Sequence, residues 1–564
     1  ALMTVAVTGA FLIGQWPEAA MVMALYAIAE LIEGRAVDRA RNAIKSLLDL
    51  TPETAEVRQP DGSWKSVAAA QVPVNAIVRV RPGERMPLDG TVAVGTSAVN
   101  QAPVTGESIP VDKVPGDPVF AGTINETGTL EVMVTAEASN TTLARIIHSV
   151  EQAQGSRAPT QQFVDRFAAI YTPAVFIMAV LVATLTPVFM DLTWVDAVYK
   201  ALVLLVIACP CALVIATPVT VVSGLASAAR RGILIKGGVY LEDAHKLKAI
   251  ALDKTGTITE GKPKLVAQHV LARTYPETQI LGWAADLAGH SDHPVSKAIA
   301  QGLSAGQGIV AGFTALAGRG VEAQLEGQPL ILGNHRLIEE RGLCSPAIEA
   351  LLQAQESQGR TVTLLASQSE VLAIFAVADT IKDSSREAIA QLHALGIASV
   401  MLTGDNQATA ETIAKQAGID QAHGNLLPED KLSAIEQMQA QYGATAMTGD
   451  GINDAPALAR ADIGLAMGAA GTDTAMEAAD IVIMNDDLRR IPEVIQLSRR
   501  TRGILLQNIV LALGIKTVFL VLAVFGNASM WMAVFADMGA SLLVVGNGLR
   551  LLRGTRAHAV RAVG

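Results

Sequence analysis

Residues 206–218 read Val-Ile-Ala-Cys-Pro-Cys-Ala-Leu-Val-Ile-Ala-Thr-Pro, so Cys209 and Cys211 bracket a proline inside a long apolar run. Polar groups at lipid depth are expensive and mark functional sites. A proline within a helix also leaves backbone groups without their helical partners. Soft sulfur ligands and a locally opened helix therefore meet at one depth, which points to a metal held inside a membrane. A second chemistry follows downstream. Asp253, in Asp253-Lys254-Thr255-Gly256-Thr257, comes directly after the buried-strand run Ala249-Ile250-Ala251-Leu252. A carboxylate there can attack a phosphoryl group and form an acyl phosphate. Such an attack needs charge neutralisation, by Mg2+ and a lysine. Asp450, in Gly449-Asp450-Gly451-Ile452-Asn453-Asp454, ends another strand run and can hold the Mg2+. Lys431, after Leu427-Pro428-Glu429-Asp430, can contact phosphoryl oxygens, and Thr403 can donate further hydrogen bonds. One Asp-Gly turn alone reads as a turn or helix cap. Three strand-end motifs in one chain favour the phosphoryl site.

These groups need elements to position them. Six apolar segments of membrane length or near it run over roughly 1–14, 17–33, 168–190, 197–222, 504–525 and 530–551, in three hairpins. The turns within the hairpins carry no lysine or arginine. The opposite ends are basic, with Arg35, Arg39, Arg157, Arg166, Arg230, Arg231, Arg499, Arg500 and Arg550 among others. The positive-inside rule puts those ends, and both large polar inserts, on the cytoplasmic side. The first insert is strand-rich, with Ala76-Ile77-Val78-Arg79-Val80 and turn signals at Pro82-Gly83, Asp89-Gly90 and Gly95. The second alternates short apolar strands with helical stretches at 384–395 and 407–417. That pattern predicts a doubly wound parallel α/β domain with carboxylates at strand ends. Residues 263–380 interrupt it as a separate inserted domain.

Composition agrees with a membrane protein. Of 564 residues, 51% are hydrophobic and 17% charged, too apolar for a wholly soluble chain. The formal net charge of −10 gives no nucleic-acid footprint. Three cysteines, two of them flanking one proline, make a disulfide framework unexpected. No signal peptide is visible, and the chain opens inside an apolar stretch, as if upstream sequence and part of the first helix were missing.

With these motifs in order, the chain resembles the P-type ATPases of the heavy-metal-transporting branch over essentially its whole length. Asp253-Lys254-Thr255-Gly256-Thr257 is similar to the family's phosphorylation motif and Thr105-Gly106-Glu107-Ser108 to its dephosphorylation motif. Residues 448–456 resemble its hinge, and His293-Pro294 the dipeptide of the heavy-metal branch. The resemblance implies that Asp253 becomes phosphorylated and that Glu107 orients the water that later removes the phosphate. It adds Lys254, Thr255, Asn453 and Asp454 to the catalytic set, and Asp253, Thr255 and Asp450 as the Mg2+ ligands. It gives ATP contacts to His293, Gly318, Gly320, Gly333, Asn334 and Asp405. The chain departs from the family at Ala288 and Ala323, where glutamate and glycine are common.

The same resemblance implies three cytoplasmic parts. These are a β-rich actuator domain (35–157), a doubly wound, haloacid-dehalogenase-like phosphorylation domain (226–262 and 381–498) and an α+β nucleotide-binding insertion (263–380). Membrane helices occupy 1–34, 158–225 and 499–553, with a tail at 554–564.

The transported ion is narrowed by charge. Thiolates at Cys209 and Cys211 favour Zn2+, Cd2+, Pb2+ or Cu+ over Mg2+ or Ca2+. Lys516 and Asp537 lie in the last two apolar segments, where either alone would be costly. The economical reading pairs them in one state and turns Asp537 to a cation in another. Two thiolates and one carboxylate suit a divalent borderline ion, and the lysine and aspartate match the zinc/cadmium/lead group, with Lys516 as a built-in counter-ion. The Asn, Tyr, Met and Ser patterns of copper relatives are not seen. Glu18 and Glu30 are further positions for an ion pathway, while Cys344 reads as packing. The expected function is thus ATP-driven export of Zn2+, Cd2+ or Pb2+, by a monomer in a bacterial inner membrane, with lipid and soft divalent ions as partners and no nucleic acid. The rivals are a Cu+ exporter and a membrane-anchored phosphatase of the haloacid-dehalogenase type. The phosphatase reading is disfavoured because Thr255 stands where a general-acid aspartate would be expected.

Overall fold

The Trp194–Ile207 helix shows how local sequence sets the membrane part. Thr193 caps it, its hydroxyl accepting from the Asp196 N–H at 3.2 Å. From Ala201 to Ala208 every residue is buried, as expected of a helix that is apolar all round and packed on all sides. It ends at the Cys-Pro-Cys segment because Pro210 has no N–H to continue the ladder. A new helix, Cys211–Ala229, starts at once, with the Leu213 and Val214 N–H groups both turning to the Pro210 carbonyl at 3.1 Å. The expected single span is therefore two helices meeting at the sulfurs.

This is a computed structural model, and it describes residues 2–45, 51–101, 110–145, 158–189, 192–291, 293–304, 306, 308–316, 319–449, 454–468, 477–525 and 529–552. These form two units, Ala1–His245 with Val494–Gly564, and Lys246–Glu493.

Among the described residues, four helical stretches are long and apolar enough to cross a membrane: Pro159–Phe189, Trp194–Ala229 counted through its break, Arg490–Ala523 and Met530–Leu551. Two further helices precede them. Leu2–Leu12 has 11 residues, and Trp16–Lys45 runs past the expected apolar segment into its charged continuation. One core joins Leu2, Ala6, Ala19 and Val22 to Val175, Leu202–Ile207, Met530 and Val534. Outward, Ile170, Ile177, Leu185, Val510, Val518 and Phe535 are exposed. That much bare aliphatic surface suits lipid rather than water. The protein is an integral membrane protein.

The first unit holds the strand-rich insert. Six antiparallel strands lie in the order Trp64–Ala68, Thr54–Arg58, Ile77–Val80, Leu130–Val134, Gly90–Val94, Pro118–Val119. A three-stranded sheet of Val111–Lys113, Ser97–Asn100 and Ile124–Asn125 accompanies them. Buried Val78, Val80, Met86, Leu130 and Val132 form the core. Alternation along each strand sends these residues to one face.

In the second unit six strands run parallel in the order Ile481–Ile483, Ile463–Met467, Thr445–Gly449, Ala249–Asp253, Ala398–Leu402, Gln421–His423. All five residues of Ala249–Asp253 are buried, which explains its unbroken apolar run. Asp383–Ala394, Gln407–Ala417 and Pro428–Tyr442 are helices between them. The inserted part is a six-stranded antiparallel sheet from Lys264–Val270 to Val371–Ala378. Helices Glu277–Gly289 and Pro294–Gly302 pack on one side through Ile280, Trp283, Leu287 and Ile299. Helices His335–Glu340 and Pro346–Glu356 pack through Leu337, Ile338 and Leu352 in a second core. The molecule thus combines membrane helices with a β-rich domain, a doubly wound α/β domain and an α+β insertion.

Candidate functional site

Asp253 sits at the C-terminal end of the central strand, paired in register with Leu402, so Thr403 stands at the adjacent strand end. The chain then makes a tight loop in which Gly256 has φ +72°, a conformation that glycine adopts without strain. Lys431, near the start of the Pro428–Tyr442 helix, donates to the carboxylates of both Asp253 and Asp454, the latter at 2.7 Å. All three side chains are about a tenth exposed or less. Burial works to lower the Lys431 ammonium, but Asp253 and Asp454 outweigh it and hold it above its ordinary value. Two carboxylates share this one ammonium in a closed site. The Thr257 and Thr448 hydroxyls are buried there on the same motifs, with no hydrogen-bond partner among the described residues. A divalent cation and a phosphoryl group are the chemistry that such carboxylates and such hydroxyls fit.

Lys254 forms an ion pair with Asp405, whose other oxygen accepts from the Thr361 hydroxyl at 3.2 Å. Asp405 N–H donates to the Thr403 hydroxyl at 3.2 Å. His293 caps the Pro294–Gly302 helix by accepting from the Val295 N–H through Nδ1 at 3.3 Å. The surrounding protein pushes its imidazole below the ordinary value, with Asp405 opposing that shift and Lys254 adding to it. His293 is therefore within electrostatic reach of the phosphorylation loop. Gly320 and Gly333 are direct cross-strand partners. A side chain at Gly320 would strike the Leu332 carbonyl, so the close strand contact requires glycine. Asn334 caps the next helix, accepting from the Leu337 N–H at 3.0 Å. Glu107, Asp450, Asn453 and Gly318 lie outside the described residues.

Three groups at the site were missed from sequence. Asp379 accepts from the Thr259 hydroxyl at 2.6 Å and from the Gly261 and Lys262 N–H groups, at the point where the chain leaves the α/β domain. Lys382 donates to the Gly256 carbonyl at 2.6 Å and to Asp486 at 2.7 Å, and Ser385 donates to the Ile258 carbonyl at 2.8 Å. Asp379 carried the same sign as Asp253, a carboxylate ending a long buried apolar run (Val371–Ala378).

In the membrane part, Lys516 and Asp537 form an ion pair of 2.7 Å, with both side chains under a tenth exposed. The Lys516 ammonium also donates to the carbonyls of Ile207, at 3.2 Å, and Cys209. Those carbonyls end the Trp194–Ile207 helix, where proline has removed the next donor. A cation at a helix C-terminus is favoured by the dipole as well. A small pocket beside Cys211 is lined by Tyr26, Ile215, Val534, Asp537, Met538 and Ser541. Cys209 and Cys211 stand with Cα atoms 5.5 Å apart, and the proline turn between them brings the two sulfurs to one point, which suits chelation of a single ion. Glu18 accepts from the Tyr199 hydroxyl at 2.7 Å, and that hydroxyl accepts from the Met530 N–H at 3.1 Å. Glu30 is exposed.

Known proteins share this arrangement. Residues 247–462 match the profile of haloacid dehalogenase-like hydrolases, and residues 49–151 that of the P-type ATPase actuator domain. The chain is 45% identical over 560 residues to a probable cadmium-transporting ATPase of Alkalihalophilus pseudofirmus, covering 98% of this chain and 77% of that protein. It is 41% identical to the zinc/cadmium/lead-transporting P-type ATPase of Escherichia coli, covering 98% and 74%. A crystal structure of a zinc-transporting PIB-type ATPase in the E2.Pi state superposes with TM-score 0.60 at 40% identity, covering 98% of this chain and 90% of that one. The chain belongs to the P-type ATPases, ion pumps that hydrolyse ATP, and within them to the metal-transporting PIB branch.

Proposed function

We propose that this protein exports Zn2+, Cd2+ or Pb2+ from the cytosol of a bacterium across its inner membrane, as a monomer that binds no nucleic acid. The observation that carries the ion choice is the Lys516–Asp537 pair seated on the Cys-Pro-Cys break. The reduced Cys209 and Cys211 thiolates with Asp537 total three negative charges. A 2+ ion leaves less residual charge than Cu+, and the mixed sulfur–oxygen set suits a borderline metal. The names of the relatives support the same choice.

ATP binds the inserted domain through His293, Gly318, Gly320, Gly333, Asn334 and Asp405. Mg2+, held by Asp253, Thr255 and Asp450, supplies charge neutralisation for the phosphates when bound. Asp253 forms a bond to the γ-phosphorus while the bond to the β–γ bridging oxygen breaks, and ADP leaves. Lys431 holds the Asp253 carboxylate in place and, with Lys254 and Thr403, offsets charge on the transferred oxygens. Asn453 and Asp454 complete the cradle. Thr255 stands where a phosphatase would need a general acid, which suits an acyl phosphate that must survive. Glu107 then orients the water that cleaves it, and Lys516 returns to Asp537 as the ion departs. Glu18, hydrogen-bonded to Tyr199, and Glu30 are positions along the ion path.

The test is ATP hydrolysis by purified, reduced protein across Zn2+, Cd2+, Pb2+, Co2+ and Cu+. Stimulation by the first three, abolished in Asp537→Ala, is expected. Stimulation by Cu+ alone, or undiminished Zn2+ stimulation in Asp537→Ala, would overturn the ion assignment.

A further inference from the structure

His335, Cys344 and Glu349 converge outside every site described so far. Their ligand atoms all lie within 4.8 Å of one another, and His335 Nε2 is 2.8 Å from Glu349 Oε1. His335 opens the His335–Glu340 helix, Cys344 lies in the connection, and Glu349 is in the first turn of Pro346–Glu356. The connection is short because Gly342, at φ +71°, turns the chain back sharply. His335 and Glu349 thus sit on two helices that the second core of the inserted domain already fixes through Leu337, Ile338 and Leu352, with Cys344 in the connection between them.

We propose that His335, Cys344 and Glu349 form a cytosolic binding site for a borderline divalent cation of the Zn2+ or Cd2+ type. The donor set of one sulfur, one imidazole nitrogen and one carboxylate oxygen is the chemistry of such ions. Tetrahedral ligands at about 2.0–2.3 Å stand roughly 3.3–3.8 Å apart, so closure from the observed spread needs about 1 Å of side-chain movement. The surroundings are acidic: Glu339 acts on Cys344, and Glu356 lies within electrostatic reach of His335 and Glu349. Cation binding exchanges the thiol proton for the metal. The bare alternative is a half-exposed His335–Glu349 contact, with side chains 30% and 45% exposed, beside a packed cysteine. The site stands independently of the transport reading, because neither Asp253 nor the membrane ligands take part in it.

The test uses the full chain in detergent with a phosphine reductant. The chain has three cysteines, so Cys209→Ser/Cys211→Ser leaves Cys344 as the sole thiol. That variant, titrated with CdCl2, is expected to bind one Cd2+ with a thiolate-to-cadmium charge-transfer band in the ultraviolet. Adding Cys344→Ser should abolish the band. His335→Gln or Glu349→Gln should weaken binding by more than the roughly 10–100-fold typical of changes beyond the ligands themselves. The two surface variants decide the matter if the triple cysteine variant fails to fold. Absence of the band in the Cys209→Ser/Cys211→Ser protein, or a Cd2+ affinity unmoved by His335→Gln and Glu349→Gln, would overturn the proposal.

Discussion

The Lys516–Asp537 pair makes the sharpest energetic prediction, because removing either partner has a different consequence. Replacing Lys516 by Met strands the Asp537 carboxylate, whose side chain is 6% exposed, and removes the donor shared by the Ile207 and Cys209 carbonyls. Stranding a buried charge costs about 3–5 kcal/mol, and each deprived buried carbonyl adds about 1–3 kcal/mol. Replacing Asp537 by Leu leaves the ammonium its two carbonyl acceptors, so the expected loss is smaller, about 1–3 kcal/mol. The double variant strands no charge and is left only with the carbonyl loss. The double variant should therefore regain the stranding cost of about 3–5 kcal/mol relative to Lys516→Met alone, read as a higher unfolding temperature, and the two substitutions should couple by at least that much. The assay is thermal unfolding of the four proteins in one detergent, with Zn2+-stimulated ATPase measured beside it. Activity should stay absent in the double variant while stability returns. Losses that add to within about 0.5 kcal/mol would show that the pair is not the unit that matters, and recovered activity would show that it is only a lock.

Other outcomes follow from the phosphoryl site and the nucleotide domain. Asp253→Asn should form no acid-stable, hydroxylamine-labile phosphoenzyme from labelled ATP while keeping its fold; labelling at the parent level would move the nucleophile elsewhere. Lys431→Met leaves the Asp253 and Asp454 carboxylates facing each other without their shared ammonium, and should destabilise the α/β domain by about 3–5 kcal/mol, read by denaturant unfolding. Glu107→Gln should accept phosphate and hold it, so a chase with cold ATP that removes label at the parent rate would refute its role. His293 is held below its unfolded value of about 6.5. Its contribution to stability is therefore fully present above pH 6.5 and is lost as pH falls through the lower folded value. His293→Gln should flatten that part of the stability–pH curve, and a curve identical to the parent's would contradict the lowered imidazole.

The parts of this chain that could be read in advance share one property: local sequence states the tertiary environment. Ala249–Asp253 is apolar throughout because both faces of a parallel strand are covered, so its end and its carboxylate stand out. Pro210 marks a helix break between two cysteines, whereas Pro173, Pro187 and Pro218 stand inside continuous helices. The cost of charge in lipid is enough to suggest that Lys516 and Asp537 seek each other, although they come from different helices. What could not be read depends on groups without a sequence sign. The acceptors of Lys516 are backbone carbonyls, and nothing in Ile207 or Cys209 marks them. Asp379 and Lys382 act through loop N–H and C=O groups, and the meeting of His335 with Cys344 and Glu349 depends on how two short helices fold back.

Two of the buried lysines, Lys431 and Lys516, explain why the phosphoryl site and the membrane site answer to different stimuli. Lys431 is shared between two carboxylates, so a divalent cation and a phosphoryl group can be added beside it without displacing it. Lys516 serves one carboxylate and two carbonyls, so the membrane cluster is already balanced. A divalent ion that takes Asp537 must first displace the ammonium, since two positive centres cannot share one carboxylate in a medium of low dielectric. The displaced ammonium gives up the carbonyls that end the Trp194–Ile207 helix, at the break from which Cys211–Ala229 begins. Cargo binding is thus tied to the backbone at the one point where this span is discontinuous. A lysine that left Asp537 while keeping both carbonyls would remove that tie, and amide exchange at residues 207–214 that is unchanged between Zn2+-loaded and chelated protein would be its signature.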